Sequence, residues 1–184
     1  MTDFLEEELK DPKAVKRLRL HNGEFSDLPE EIGLFINLEY LELSFNNLES
    51  LPGVVCKLEN LQKLHIRNNK LIELNENMDS LKKLKMIHMP GNPTIDSVKV
   101  FQQLSKLPKL EKLSLGDCGV RAIDPSISKF SNLRVLHLYG NLISKLPEEI
   151  YGLRKLQVLD LLRNPIEIGK NVERFQAKGL RIEI

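Results

Sequence analysis

Histidine is the residue type in this chain best suited to metal binding or proton transfer. His65 and His88 are 23 residues apart, the same interval separates Glu42 from His65, and His137 follows further along. If the fold places residues 23 apart side by side, the two imidazoles approach within about 5 Å and can seed a transition-metal site with His137 as third ligand. Imidazoles on a solvated sheet are commonly ordinary polar surface, so we expect no metal and no cofactor. Mutual repulsion should lower both histidine pKa values, with Glu42 opposing.

Catalytic motifs are absent from the sequence. The chain contains no glycine-rich phosphate loop, no G-x-S-x-G nucleophile elbow, no H-E-x-x-H and no C-x-x-C. No residues remain outside the repeats and caps described below to form a catalytic domain. We therefore expect a protein without enzymatic activity.

The bulk composition is that of an ordinary globular domain. The 184 residues include 27 Lys and Arg against 26 Asp and Glu, so no overall charge attracts nucleic acid or a membrane surface. No apolar run approaches the ~18 residues of a membrane span. The acidic N-terminus lacks the basic-then-apolar order of a secretory signal. We expect a cytoplasmic protein; removal of a signal peptide would instead make it secreted or surface-bound.

A repeat of 23 residues organises the chain. Equivalent positions are Leu18, Leu41, Leu64 and Ile87, then Leu113 after an interval of 26, then Leu136 and Leu159. The segments "LEYLELSFNNLESLPGVVCKLEN" and "LRVLHLYGNLISKLPEEIYGLRK" share the pattern L-x-x-L-x-L-x-x-N-x-L followed by L-P. This pattern resembles the leucine-rich repeat family over residues 15–168. The "LPEEI" at 28–32 and 146–150 is similar to the 23-residue subclass of bacterial and plant Ras-group proteins.

The repeat predicts a solenoid. Side chains in L-x-L alternate with period 2, which indicates a short strand with inward leucines. One coil cannot bury its apolar side alone, so the coils stack. We predict an α/β fold: a right-handed leucine-rich repeat solenoid, or horseshoe, of about seven coils with a parallel β-sheet on the concave face.

Both ends of this solenoid should carry caps, because a terminal coil would otherwise expose core to water. At the N-terminus, Thr2 can start a helix whose Leu5 and Leu9 share one face. At the C-terminus, Phe175 can plug the last coil and "LRIEI" alternates like an edge strand. We predict one domain over 1–184, comprising a helical cap at 1–14, repeats at 15–168 and a C-terminal cap at 169–184.

One polar column of the repeat is expected to be buried. It contains Asn46, Asn69, Asn92, Cys118, Asn141 and Asn164. An amide donates and accepts hydrogen bonds, so stacked asparagines can satisfy backbone groups where the chain leaves each strand. We interpret the column as a structural ladder rather than an amide-lined ligand site. Cys56 lies three coils from Cys118, ~14 Å by strand spacing against a ~7 Å Cα limit for disulfides, so both cysteines should be free.

The single 26-residue interval marks an insertion after Asn92. In "PTIDSVKVFQQLSKLPK", apolar residues recur every three positions at Ile95, Val98, Phe101, Leu104 and Leu107. Asp96 or Ser97 can cap a helix start and Pro108 favours its end, so we predict a convex helix within about 96–107. The insertion, residues 93–109, is either a tolerated loop variation or a partner-binding protrusion; we favour the first.

The outward strand positions form the candidate binding site. They combine arginine, methionine and aromatic residues, which interface centres concentrate, and strand propensity accounts poorly for His, Arg and Met there. The resemblance implies a non-enzymatic scaffold, and we expect a monomer that binds a protein partner on its concave face. The expected contact residues are Arg17, Arg19, His21, Tyr40, Glu42, Phe45, Lys63, His65, Arg67, Met86, His88, His137, Tyr139, Asp160, Leu162 and Arg163.

Several alternatives to this site stay open. The basic and aromatic residues could meet RNA, but Glu42, Asp117 and Asp160 interrupt them, so we expect no nucleic acid and no membrane as partner. The face could also be uncommitted solvated surface. Binding could instead use the insertion at 93–109, the caps, or a metal-linked site at the concave histidines.

Overall fold

A single parallel sheet runs the length of the computed structural model, which describes residues 5–166 and 180–184. Its eight strands follow one another in sequence order: β1 Arg17–Arg19, β2 Tyr40–Glu42, β3 Lys63–His65, β4 Met86–His88, β5 Lys112–Ser114, β6 Val135–His137, β7 Val158–Asp160 and β8 Arg181–Glu183. The predicted solenoid with a concave parallel sheet is confirmed. Its seven repeat strands gain an eighth from the "LRIEI" segment, which pairs with β7 as an edge strand.

Adjacent strands pair in register, so equivalent residues of successive coils stand side by side. Leu41 faces Leu18 on one side and Leu64 on the other. Ile87 still faces Leu113 although 26 residues separate them, because the three extra residues are accommodated on the convex side. The sheet therefore keeps its geometry through the insertion.

The core lies between the sheet and the convex connections. The inward strand residues Leu41, Leu64 and Leu136 are fully buried. On the convex side, most coils form one short 3-10 helix, at Glu30–Leu34, Gly53–Lys57, Glu76–Ser80, Pro125–Lys129 and Glu148–Gly152. Each places an apolar side chain such as Ile32 or Met78 into the core. Stacking of apolar surface, at ~25 cal/mol per Å² removed from water, thus holds the coils together.

The fourth coil replaces the 3-10 helix with the predicted α-helix, α1, Ser97–Leu104. Asp96 caps it, since its side chain accepts a hydrogen bond from the Lys99 backbone N–H at 3.1 Å. Phe101 is buried and meets the Phe130 ring edge to face at 6.3 Å. Val98 is 46 % exposed, so its expected place in the apolar row is wrong. A strict spacing of three drifts around a helix with 3.6 residues per turn.

The two ends lie partly outside the described residues. Near the N-terminus, Leu5 is fully buried and a 3-10 helix spans Glu8–Lys10. Thr2 and Phe175 belong to the segments 1–4 and 167–179, which the structure does not describe. Within the described part, no helix has the length and apolar character needed to cross a bilayer.

Both cysteines are free thiols in buried positions. Burial raises the pKa of each thiol to about 11. Cys118 Sγ lies 3.4 Å from the Met89 carbonyl oxygen and 3.3 Å from that of Gly116, so its S–H takes the donor position that an asparagine amide has elsewhere. A thiol held protonated is a poor nucleophile and metal ligand, which fits a structural role.

Candidate binding surface on the concave face

The asparagine column fixes the edge where the chain leaves each strand. The side-chain amide of Asn69 donates to the carbonyl oxygens of Leu43 at 3.0 Å and Ile66 at 3.2 Å. Its oxygen accepts from the Leu48 backbone N–H at 3.1 Å, one coil earlier. Asn46, Asn92, Asn141 and Asn164 repeat this pattern. Neighbouring coils are therefore clamped together, which holds the outward side chains of the strands in fixed columns.

The residue before each ladder position adopts a left-handed backbone conformation. The φ angles are positive at Asn22, Phe45, Asn68, Gly91, Asp117, Gly140 and Arg163. Glycine, asparagine and aspartate tolerate this region, whereas phenylalanine and arginine are strained there. Phe45, with φ of 60°, is 46 % exposed at the rim of the sheet. The turn thus displays an aromatic ring that contributes little to the core.

Glu42 is the centre of a hydrogen-bond network on β2. Its carboxylate accepts from the Tyr40 hydroxyl at 3.0 Å and from the Ser44 backbone N–H at 2.9 Å. The Nδ1 atom of His65 lies 3.3 Å from the same carboxylate. Burial alone would raise the pKa of Glu42, but the hydrogen bonds from Ser44 and Tyr40 outweigh it, and the pKa is lowered. Glu42 is therefore an anion whose hydrogen-bonding capacity is largely satisfied within the protein.

Arginine side chains lie against aromatic rings of the concave face. The Arg17 guanidinium is 4.5 Å from the centre of the Tyr40 ring, and that of Arg19 is 5.9 Å from it. Arg67 lies 5.3 Å from the Phe45 ring. Such cation–π contacts orient the guanidinium groups while leaving their N–H edges available.

A concavity of about 330 Å³ opens beside this network. We call it the basic concavity; Arg19, His21, Glu42, Phe45, Arg67 and His88 are among its lining residues. Within the described part of the chain, the guanidinium groups of Arg19 and Arg67 form no ion pair. Two unpaired cations thus face one concave space.

A second concavity, of about 500 Å³, follows along the sheet. We call it the apolar concavity; Met86, Val135 and Val158 line it together with His88, Lys112 and Arg181. Arg181 is paired with Glu183 at 2.6 Å, and Arg163, next to Tyr139, is paired with Asp117 at 3.2 Å. Most charges in this half of the face are therefore already neutralised.

The concave histidines are close together as the 23-residue interval predicts. The ring centres of His65 and His88 are 5.3 Å apart, and those of Tyr40 and His65 are 5.1 Å apart. The pKa of both histidines is lowered, which confirms the expected direction. The expected cause is wrong in its order, because burial is the largest influence on both. For His65, Glu42 opposes this effect and repulsion from Lys63 comes last; for His88, repulsion from His65 and Arg67 comes second and Glu42 opposes it.

A row of Ser114, His137 and Asp160 stands on adjacent strands. His137 Nδ1 lies 3.2 Å from an Asp160 carboxylate oxygen, so two members are paired as in a nucleophilic triad. The Ser114 hydroxyl is buried, however, and has no hydrogen-bond partner among the described residues. The row therefore lacks an accessible, activated nucleophile.

The predicted contact residues differ in how far they reach the solvent. Leu162 is 43 % exposed, but Asp160 is only 7 % exposed, and its carboxylate contacts His137 and the Leu162 backbone N–H. Asp160 can thus position His137 better than it can contact a partner. Sequence reasoning did not select Lys112, Val135, Val158, Arg181 and Glu183, which line the apolar concavity. Their positions on the strands were the signal in the sequence that could have placed them on this face. Across the described residues, no three His, Cys, Asp or Glu side chains form a metal-binding group.

Two family models match the chain. One, described as a leucine-rich repeat region, matches residues 7–122, and the other, described as a leucine rich repeat, matches residues 108–166. The chain belongs to the leucine-rich repeat family. Members of this family commonly mediate protein–protein interaction, and solenoids of this kind present an extended concave surface, on which both concavities lie. No curated protein sequence matches this leucine-rich repeat chain.

Solved leucine-rich repeat structures share the fold. A leucine-rich repeat protein of Leptospira interrogans is 28 % identical, and the match covers 97 % of this chain and 51 % of that one with a TM-score of 0.73. The protein chain in the structure of the TLR13–ssRNA13 complex is 25 % identical, and the match covers 95 % of this chain and 25 % of that one with a TM-score of 0.80. The plant peptide hormone receptor RGFR1, in complex with RGF2, is 23 % identical over 94 % and 32 %, with a TM-score of 0.65. This chain spans about half the length of the Leptospira protein.

Proposed function

We propose that this protein is a non-enzymatic scaffold that binds a protein partner through its concave sheet. The observation that carries the proposal is the group of exposed aromatic and unpaired arginine side chains on this face. Phe45 is 46 % exposed in a strained conformation, and Arg19 and Arg67 have no ion-pair partner within the described residues. Aromatic residues and arginine are the types that dominate binding energy in interface centres.

A protein suits this face better than nucleic acid does. Beyond the basic half, Arg163 and Arg181 are already paired with Asp117 and Glu183, so a polyphosphate backbone crossing the face would find few unpaired cations there among the described residues. We also propose that the face has no catalytic role, because the Ser114 hydroxyl lacks a hydrogen bond to either neighbouring imidazole.

Site-specific photo-crosslinking tests the proposal. A photoreactive phenylalanine at Tyr40, Phe45 or Tyr139 should capture a protein from the native cell extract. Capture by the group at Phe45 should be lost when the triple variant Tyr40→Ala, Arg67→Gln, Tyr139→Ala is combined with it. The matched control places the crosslinker at the exposed convex residue Leu34. Capture at Leu34 alone, or capture of RNA at Tyr40, would contradict concave protein binding.

One observation favours a second candidate, binding through the insertion. Ile72 is 52 % exposed and Val98 46 % exposed, and the Asp96 backbone N–H donates to the Ile72 carbonyl oxygen at 2.8 Å. A concavity of about 530 Å³ lined by Ile72, Pro93 and Thr94 lies beside them. A crosslinker at Val98 distinguishes the candidates, since this second site would capture the partner there and keep it in the triple concave variant.

A further inference from the structure

We propose that the concave face binds an extended segment of the partner that presents a carboxylate and, about six residues away on the same side, a large apolar side chain. This inference rests on the proposed function and specifies the chemistry of its partner. The carboxylate occupies the basic concavity and the apolar side chain occupies the apolar concavity.

The unpaired arginines make the basic concavity a site for a carboxylate. Arg67 is held against Phe45 and Arg19 lies near Tyr40, so both guanidinium groups are partly ordered before any ligand arrives. A guanidinium presents parallel N–H donors that match the two oxygens of a carboxylate. By contrast, Arg163 already has its carboxylate, Asp117, at 3.2 Å. Among the described residues, Arg19 and Arg67 of the basic half form no ion pair with a carboxylate.

The carboxylate already present in the basic concavity does not take that place. Glu42 accepts from Tyr40 and Ser44 and contacts His65. These contacts hold it on its own strand, where it leaves Arg19 and Arg67 without an ion pair within the described residues. An incoming acidic side chain therefore meets a site with more positive than negative charge, and a basic side chain does not.

The apolar concavity complements a hydrophobic side chain. Met86, Val135 and Val158 are each half-buried on the strand face and surround the space. Of the flanking charges, Arg181 is paired with Glu183 at 2.6 Å and Asp160 contacts His137 at 3.2 Å, which leaves Lys112 as the lining charge without an ion pair among the described residues. An apolar ligand group loses its exposure to water against the three apolar side chains.

The sheet geometry sets the spacing between the two groups. Val135 in β6 is in register with Lys63 in β3, and Arg67 lies four residues beyond Lys63. Three strand intervals, ~14 Å, and four residues along the strand, ~13 Å, place Arg67 and Val135 ~19 Å apart. An extended peptide advances ~3.4 Å per residue, so this distance corresponds to about six residues. Side chains six positions apart on an extended segment point the same way. One segment lying obliquely across the strands can therefore fill both concavities at once.

Panning a random dodecapeptide phage library against the immobilised full chain tests this inference. Selected peptides should contain Asp or Glu about six residues from Phe, Leu, Met or Trp, in either direction. For a synthetic selected peptide, changing the acid to its amide should weaken binding at least about 10-fold in fluorescence anisotropy, the usual effect of losing a charge-assisted hydrogen bond. Arg19→Gln with Arg67→Gln should weaken binding to a similar extent. The matched control, Arg121→Gln with Arg154→Gln, removes two exposed arginines that line neither concavity and should bind as wild type.

The outcomes separate this inference from the proposed function. Peptides that depend on Tyr40 and Tyr139 but tolerate the acid-to-amide change overturn the inference and leave concave binding intact. Selected peptides without a preferred acid-to-apolar spacing do the same. Peptides insensitive to every concave variant, or a library without binders, contradict both proposals. Tighter binding of a fluorescent U12 oligoribonucleotide than of the peptides would overturn the proposal that the partner is a protein.

Discussion

At the scale of single residues, the environment of the concave histidines determines how the chain responds to acid. The charges of Glu42 and Lys63 act on His65, and those of His65, Arg67, Glu42 and His137 act on His88. Burial favours the neutral imidazole in both, so the folded protein resists protonation at a pH where the unfolded chain accepts it.

We expect stability to fall as the medium becomes acidic. The histidine contribution is fully present above about pH 6.5, the unfolded pKa, and diminishes as pH falls from there toward the lowered folded pKa values. Urea unfolding at pH 7.5 and pH 5.5 measures this loss, and His65→Gln with His88→Gln should reduce it. His21→Gln, at an exposed position, is the control. NMR pKa values for His65 and His88 at or above 6.5 would contradict the argument.

The ladder predicts that a more apolar residue can destabilise the chain. Asn69→Leu removes a donor from Leu43 and Ile66 and an acceptor from Leu48. Leaving buried backbone groups without partners should lower the free energy of unfolding by about 1–3 kcal/mol. Asn77→Leu is the matched control, because this side chain is exposed, and it should change stability by less than about 0.5 kcal/mol. Equal denaturation midpoints for the two variants would refute the ladder.

At the scale of elements, the N-cap residue of α1 can be tested by substitution. The sequence left Asp96 and Ser97 as alternatives, and the structure gives the cap to Asp96. Asp96→Ala should therefore cost about 0.5–2 kcal/mol of stability, since the Lys99 N–H loses its acceptor. Ser97→Ala should stay within about 0.5 kcal/mol of wild type. A larger loss for Ser97→Ala in thermal unfolding would reverse the assignment.

The elements were the part of the fold that the sequence predicted best. Alternating leucines at a fixed interval determine both the strand and its register, because a one-residue slip would expose every leucine. A second polar column was missed: Asn37, Asn60 and Asn132 donate to the carbonyl oxygens of Lys13, Ile36 and Pro108 on the convex side. Its signal was present in the Asn-Leu that recurs before β2, β3 and β6. Hydrophobic periodicity carries no information on such exposed side chains.

The candidate site was predicted less completely than the fold. The strand period placed His65, His88 and Tyr40 on one face, and the in-register sheet determines their proximity. The division into two concavities depends on which charges pair, as Arg163 does with Asp117 across an intervening coil. Gly140 leaves room for that pair, since a Cβ there would lie 2.0 Å from Asp117 Oδ1. Side-chain conformations of this kind are not encoded in a repeat pattern.

At the scale of the whole molecule, each coil is stabilised mainly by its immediate neighbours. Leu64 lies in the third strand, with coils on both sides, and is fully buried. Ile182 lies in β8, which pairs on one side with β7 among the described strands, and is half-buried.

The position of a coil should therefore determine the cost of a cavity. Leu64→Ala should lower the free energy of unfolding by about 2–5 kcal/mol, and Ile182→Ala by clearly less, because its surroundings are already partly hydrated. Denaturant unfolding of both variants, monitored by circular dichroism, gives the comparison. Equal losses would show that the last strand is as firmly packed as the centre of the solenoid.

Because the strands pair in register, the number of coils between the two concavities sets the distance between them, and this distance determines which partner motif fits. One additional coil between β3 and β6 would move Arg67 and Val135, and with them the two concavities, from ~19 Å to ~23 Å apart without altering any contact residue. An extended partner would then need a spacing of about seven residues between its acidic and apolar groups instead of about six. Duplication or loss of a single 23-residue unit can thus change which motif is recognised, even when every side chain that touches the partner stays the same.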